Sequence, residues 1–270
     1  MKSTKLLLLV ILTLSITNCK NIDSDKAIKE EALARHQEFY QLKIYTLVTD
    51  AQTQITDSYL KEAYLPGLKS MGIKNIGVFK PRPVEADILK KIYVLIPFSS
   101  IKQFLNLEKG LAKDQTYLEA GGAYINATHD KPPYQRIESV ILKAFEDHPV
   151  LKVPSLENQR SNRVYELRSY ESATESQHKN KVDMFNAGGE VRLFDQLEFN
   201  AVFYGEVVSG SKMPNLMYMT TFSNQESRDA HWTTFRESPE WNDMKTLPQY
   251  QNNVSHADII FLYPTEYSDY

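Results

Sequence analysis

Six histidines punctuate the chain, His36, His129, His148, His178, His231 and His256. None stands four residues from another, the spacing that puts two imidazoles on one helix face for zinc, and no carboxylate completes a ligand pattern beside them. No metal site is expected. The single cysteine, Cys19, excludes a disulfide framework, a cysteine-rich zinc module, an iron–sulfur cluster and a Cys-X-X-Cys redox centre. Glycine-rich phosphate loops and a Gly-X-Ser-X-Gly nucleophile elbow are also absent. What remains is an alternating polar run, Glu166, Arg168 and Tyr170, which shares one side of any strand that carries it. A guanidinium there could hold an anionic or carbonyl group while Glu166 or Tyr204 moves a proton. The competing expectation is an ion pair with Lys43 across an interface, as pure structure. His231, beside Trp232 on a helical stretch, could contact haem or act as a base, and a surface or core-edge role is the stronger expectation. The expected ligand-binding set is Glu166, Arg168, Tyr170, Tyr204 and His231, with no cofactor beyond a haem at His231.

Strands must hold these residues. Phe39-Tyr40-Gln41-Leu42-Lys43-Ile44-Tyr45 lies over Val164-Tyr165-Glu166-Leu167-Arg168-Ser169-Tyr170 at an offset of 125, which also places Ile92-Tyr93-Val94 over Met217-Tyr218-Met219. In the second unit, alternation predicts strands over 163–170, 199–208, 216–222 and 257–263, with helical periodicity over 172–197, broken at Gly188-Gly189, and from Asn224 to Pro239. The first unit predicts strands over 38–46, 75–81, 90–97 and 135–144, and helices over 53–71 and 99–110. Each unit reads βαββαβ, the ferredoxin-like plait. The fold class is α+β, with two tandem ferredoxin-like units closing into an intrachain α/β-barrel. Tyr40, Leu42, Ile44, Tyr165 and Leu167 are expected to face the helices. Gln41, Lys43, Tyr45, Glu166, Arg168 and Tyr170 are expected to face the partner sheet, where a small apolar or aromatic ligand would sit.

The charge balance is near neutral, 31 Lys+Arg against 34 Asp+Glu, which disfavours nucleic acid as a partner. Met1-Lys2-Ser3-Thr4-Lys5 followed by the apolar run Leu6 to Leu14 reads as a signal peptide, too short to span a bilayer. Ile16-Thr17-Asn18-Cys19 resembles the lipobox of bacterial lipoproteins, with Asn18 departing from the usual small residue. The resemblance implies a lipidated Cys19 that anchors the chain to the membrane of a bacterial envelope. The expected organisation is a signal peptide over 1–18, a tether over 19–36, a first unit over 37–147, a linker over 148–162 and a second unit over 163–270.

Four separated blocks carry a further resemblance: Tyr165 to Tyr170, Met184 to Glu190 with Leu193-Phe194, Met213 to Met219, and Trp232 to Phe235 with Pro239-Glu240-Trp241. Together they closely resemble the NIPSNAP family, over essentially all of 163–263. Residues 38–145 read as a diverged copy that lacks the Gly-Gly-Glu, Met-Pro-Asn and Pro-Glu-Trp blocks. The resemblance implies the dimeric α/β-barrel superfamily, which includes haem-degrading and cofactor-free monooxygenases, but it carries no agreed reaction. The expectation is therefore an envelope-anchored binder of a small molecule with monooxygenase-like chemistry open to it. The alternative is a non-catalytic envelope interaction protein.

Overall fold

The computed structural model describes residues 36–82 and 89–270. The signal peptide, the Cys19 anchor and nearly all of the tether lie outside the described residues. Among the described residues, no helix is long and apolar enough to cross a membrane.

Strand β1 (Phe39–Leu47) interleaves aromatic and aliphatic side chains with Gln41, Lys43 and Thr46, and all of its residues are buried or half-buried. Thr49 then caps α1 (Asp50–Tyr59), its side chain accepting from the Gln52 amide. The helix widens through a π turn, Leu60–Tyr64, and continues as α2 (Leu65–Ser70). Strands β2 (Gly77–Pro81) and β3 (Lys90–Phe98) follow, then α3 (Ile101–Leu105), α4 (Leu107–Leu111), α5 (Gln115–Ala120), α6 (Gly122–Ile125) and β4 (Arg136–Ala144). The second half repeats this order with β5 (Val164–Glu171), α7 (Glu175–Phe185), α8 (Glu190–Gln196), β6 (Phe203–Ser209), β7 (Asn215–Phe222), α9 (Gln225–Glu237), α10 (Pro239–Met244) and β8 (His256–Pro264). The helices α5 and α6, opened by an Asp114 cap on the Tyr117 amide, have no counterpart in the sequence reading.

All eight strands form one closed barrel in the order β1-β3-β2-β8-β5-β7-β6-β4. Each half supplies a four-stranded antiparallel sheet, β4-β1-β3-β2 or β8-β5-β7-β6, and the β2–β8 and β4–β6 pairings join them. The α+β barrel of two ferredoxin-like units is therefore the observed architecture.

Two expectations about register are corrected. The barrel interior is packed by Tyr40, Leu42, Phe79, Leu142, Tyr165, Leu167 and Leu262, with Ile44 against them. The helices instead cover the face bearing Tyr45 in the first half and Tyr170 with Tyr218 in the second. Alternation says which residues share a face, but not which face looks inward. In the second half the polar face lies beneath α9, which brings it Arg228 and Trp232 as partners. The repeat also slips between strands. Lys43 lies opposite Val94 and Arg168 opposite Tyr218, so the offset falls from 125 (168 − 43) to 124 (218 − 94). That single residue puts Tyr93 inside the barrel and Tyr218 beneath the helices.

Residues 265–270 fold back over β2. Asp269 accepts from the Ile76 amide at 2.9 Å and pairs with Lys69 at 2.5 Å, while Ser268 Oγ accepts from the Val78 amide at 3.0 Å. Arg160 holds the Thr265 and Ser268 carbonyls at 2.7 and 3.0 Å. The Tyr270 ring is buried in the barrel interior, 5.3 Å from Phe79 and 6.1 Å from Tyr165 between centroids.

Candidate functional site

Glu166, Arg168 and Tyr170 are brought together on β5, under α9 and away from the other sheet. The Glu166 side chain is wholly buried, and its two oxygens accept four hydrogen bonds. Arg168 Nε and Arg228 Nη2 reach Oε1 at 2.7 and 2.9 Å, and Arg228 Nε and Trp232 Nε1 reach Oε2 at 2.7 and 2.8 Å. The lone pairs of the carboxylate are thus filled. Burial pushes its carboxyl up, but the Arg228 and Arg168 guanidiniums outweigh this and hold it below the usual carboxylate range. The Arg168 guanidinium stacks 3.8 Å from the Trp232 ring centroid. Its Nη1 donates to the Tyr170 hydroxyl at 2.6 Å, which in turn meets the Tyr218 hydroxyl at 2.9 Å. Lys43, the expected partner, is not there. It lies in the first half, over its own tyrosines.

The sequence blocks around this network are also used in packing. At Gly188 a Cβ would sit 2.5 Å from the Met184 carbonyl, and Gly189 takes a left-handed φ of 94° at the start of α8. Glu190 then pairs with buried Lys181 from α7 at 2.8 Å. Asn215 donates to Ser169 Oγ at 2.8 Å, and Ser238 caps α10 by accepting from the Trp241 amide. Sequence reasoning missed Arg228, Tyr218 and Lys181. Their types were plain, but their pairings span the fold.

Tyr204 is fully buried, its ring 5.5 Å from Tyr218 and 6.0 Å from Phe194. His148 packs on it at 5.2 Å. Burial, reinforced by Lys152, pushes that imidazole down to about 4 against the Val202 carbonyl and Asp195. His231 stands apart from the Glu166 network, its Nδ1 2.6 Å from the Ser227 carbonyl and its ring against Phe199 and Phe222.

A haem would need an imidazole facing a flat apolar cleft. The cleft beside His231 is lined by Lys152, Asp195, Glu198 and Asn200, a polar wall that does not fit. His148 and His178 are buried against protein groups. The one group of potential metal ligands among the described residues, Glu171, His256 and Asp258, already receives the Lys212 ammonium, at 3.6 Å from Glu171 and in closer contact with Asp258.

The N-terminal half carries an open site instead. A cleft of about 810 Å³ lies between α1, α5, α6 and the loop before β4, lined by Lys43, Tyr59, Glu108, Tyr117, Tyr124 and Tyr134 among others. The π turn positions its floor, because residues five apart overlie one another there. Tyr59 stacks on Tyr64 at 5.5 Å and, on its other side, on Tyr124 at 3.7 Å. The Tyr59 and Tyr117 hydroxyls meet at 2.9 Å. Burial pushes the Tyr59 and Tyr124 phenols far up, so they stay neutral; Tyr59 is sandwiched, and the half-buried Tyr124 and Tyr134 are left to face the cleft. Such a surface holds flat apolar molecules and orients them by hydrogen bonds.

Residues 165–269 match the NIPSNAP family. No curated protein matches the chain. Among solved structures, a candidate monooxygenase from Fusobacterium nucleatum subsp. nucleatum ATCC 25586 is 13% identical, covering 85% of this chain and 93% of that one with a TM-score of 0.54. A second, from Lactobacillus acidophilus NCFM, is 11% identical, covering 84% and 94% with a TM-score of 0.53. A NIPSNAP family protein from Agrobacterium tumefaciens str. C58 is 15% identical and covers 40% of this chain and 97% of its own, with a TM-score of 0.35. The first two share the barrel, and at such identity the likeness shows the fold alone. The likeness to the NIPSNAP family falls on residues 165–269, the C-terminal half of this barrel.

Proposed function

We propose that this chain is an envelope-anchored protein that binds a small aromatic molecule, and that the ligand sits in the tyrosine cleft of the N-terminal half. The observation that carries the reading is the contrast between two spaces. The space between the sheets is filled by Tyr40, Phe79, Tyr165 and Tyr270, whereas the cleft at Tyr59 and Tyr124 has a volume typical of small-molecule sites. The expected seat between the sheets is given up for that reason. The Glu166 network supports a structural role for the family blocks, since its carboxylate has no free lone pair with which to take a proton. Monooxygenase-like chemistry rests on fold analogy with the two neighbours. The anchor at Cys19 rests on the lipobox resemblance alone.

The test is equilibrium binding of a neutral flat probe, 2-naphthamide, to the full chain. Saturable binding weakened about tenfold by Tyr124→Ala is expected, the scale of one lost stacking contact. A wild-type chain with no saturable binding ends this reading.

A further inference from the structure

We propose that Lys43 is the counter-charge for an aromatic carboxylate in this cleft, an inference that rests on the reading above and names its ligand class. Lys43 projects from the helix-covered side of β1 and lines the cleft. Its Nζ lies 4.8 Å from the Tyr64 ring centroid and 5.4 Å from that of Tyr45. Among the described residues it makes no hydrogen bond and no ion pair. Ring faces compensate a half-buried ammonium only in part, and an anion in the cleft would complete it.

The other half shows what such a cation requires. Arg168 occupies the same register position on β5 and has Glu166 beside it at 2.7 Å. The residue matching Glu166 is Gln41, whose amide instead donates to Ser139 Oγ at 2.7 Å. The carboxylate that completes the strand cation in one half is thus an amide turned away in the other. Glu108 is the one acid lining the cleft, and it acts on Lys43 only through space. Arg136 adds a second cation to the lining. Burial lowers the Lys43 ammonium from its ordinary range, consistent with the missing partner. A ligand with a flat ring and a carboxylate fits both halves of this surface. Its ring lies against Tyr124 and Tyr134 in the cleft lining, and its anion meets Lys43.

The experiment compares 2-naphthoate with 2-naphthamide, probes of nearly one shape that differ in charge, on the full chain and on Lys43→Gln, Lys43→Met and Lys43→Arg. The wild type is expected to prefer naphthoate by about tenfold. The preference should vanish in Lys43→Gln and Lys43→Met and persist in Lys43→Arg, with a native circular dichroism spectrum as the control for folding. Equal affinity of the wild type for both probes overturns the role of Lys43 while leaving the aromatic cleft standing. Binding of neither probe overturns both. A preference that survives in Lys43→Gln, or loss of both probes in Lys43→Gln and Lys43→Met, counts against a pure charge role and overturns the proposal.

Discussion

On the helix-covered side of its sheet, the C-terminal half sets Glu166, Arg168 and Tyr170 where the N-terminal half sets Gln41, Lys43 and Tyr45. In the C-terminal half the charges close on themselves, with two guanidiniums and an indole N–H converging on one carboxylate. In the N-terminal half the cation is left over tyrosine rings at the edge of a cleft. The difference shows how one framework can support both a sealed core and an opening. Changing the acid to an amide removes the internal counter-ion, and the π turn at Leu60–Tyr64 opens the aromatic floor beside it. A buried ion pair adds little net stability over an apolar pair, but breaking one is costly.

The largest expected effect is in the closed half. Glu166→Ala leaves Arg168 and Arg228 without their anion and should lower unfolding free energy by about 3–5 kcal/mol. Urea denaturation reads this, and a loss below about 1 kcal/mol would break the contrast, since surface pairs behave that way. Because the folded Glu166 carboxyl is held below its unfolded range, its stabilisation is complete above roughly pH 4.3 and is lost as pH falls through the folded value.

His148 tests how dry the closed half is. Its imidazole is neutral when folded, at about 4, and ordinary when unfolded, at about 6.5. The unfolded chain binds the extra proton in that window, so stability is full above about pH 6.5 and falls toward pH 4 by roughly 3 kcal/mol. Chemical denaturation across pH should show this slope in the wild type and lose it in His148→Gln. An unchanged slope would assign the pH dependence elsewhere.

Gly188→Ala comes next. Its Cβ would press on the Met184 backbone at 2.5 Å, which cannot yield as a side chain would, and a loss of about 2 kcal/mol is expected in thermal unfolding. The smallest effect is in the open half, and its sign is what sharpens the comparison. Lys43→Met removes a cation that has no ion pair and should leave stability unchanged or raise it by about 1 kcal/mol, whereas Arg168→Met should cost about 3 kcal/mol. Equal losses at the two positions would mean that Lys43 is as fully partnered as Arg168.

Much of this architecture was legible in the chain. The alternation from Phe39 to Tyr45 and from Val164 to Tyr170, the turns between strands and the break at Gly188-Gly189 fix the order of elements and the two-unit plan. The direction of each sheet face was not legible, because Tyr165 and Tyr170 are equally able to fill a core. It was decided by partners distant in sequence, such as Arg228 and Trp232 on α9. The one-residue slip that separates Tyr93 from Tyr218 was hidden for a related reason, since an offset aligned on β1 and β5 need not hold for β3 and β7. Of the expected ligand set, Glu166, Arg168 and Tyr170 do meet, Tyr204 joins them through Tyr218, and His231 stands aside. Lys43 entered the sequence reading only as an ion-pair partner, because its isolation can be seen only once its neighbours are placed.

The fold-back of residues 265–270 bears on the order in which this chain can become whole. The contacts from Asp269 to Lys69 and to the Ile76 amide, and from Ser268 to the Val78 amide, span 200, 193 and 190 residues. Until residues 268–270 arrive, the start of β2 lacks its last acceptors and the barrel interior lacks the Tyr270 ring. Closure over such separations is slow and comes after local structure has formed. The N-terminal half therefore reaches its finished state only when residues 268–270 dock on it, which makes completion of its sheet depend on the strand, β8, that leads into them.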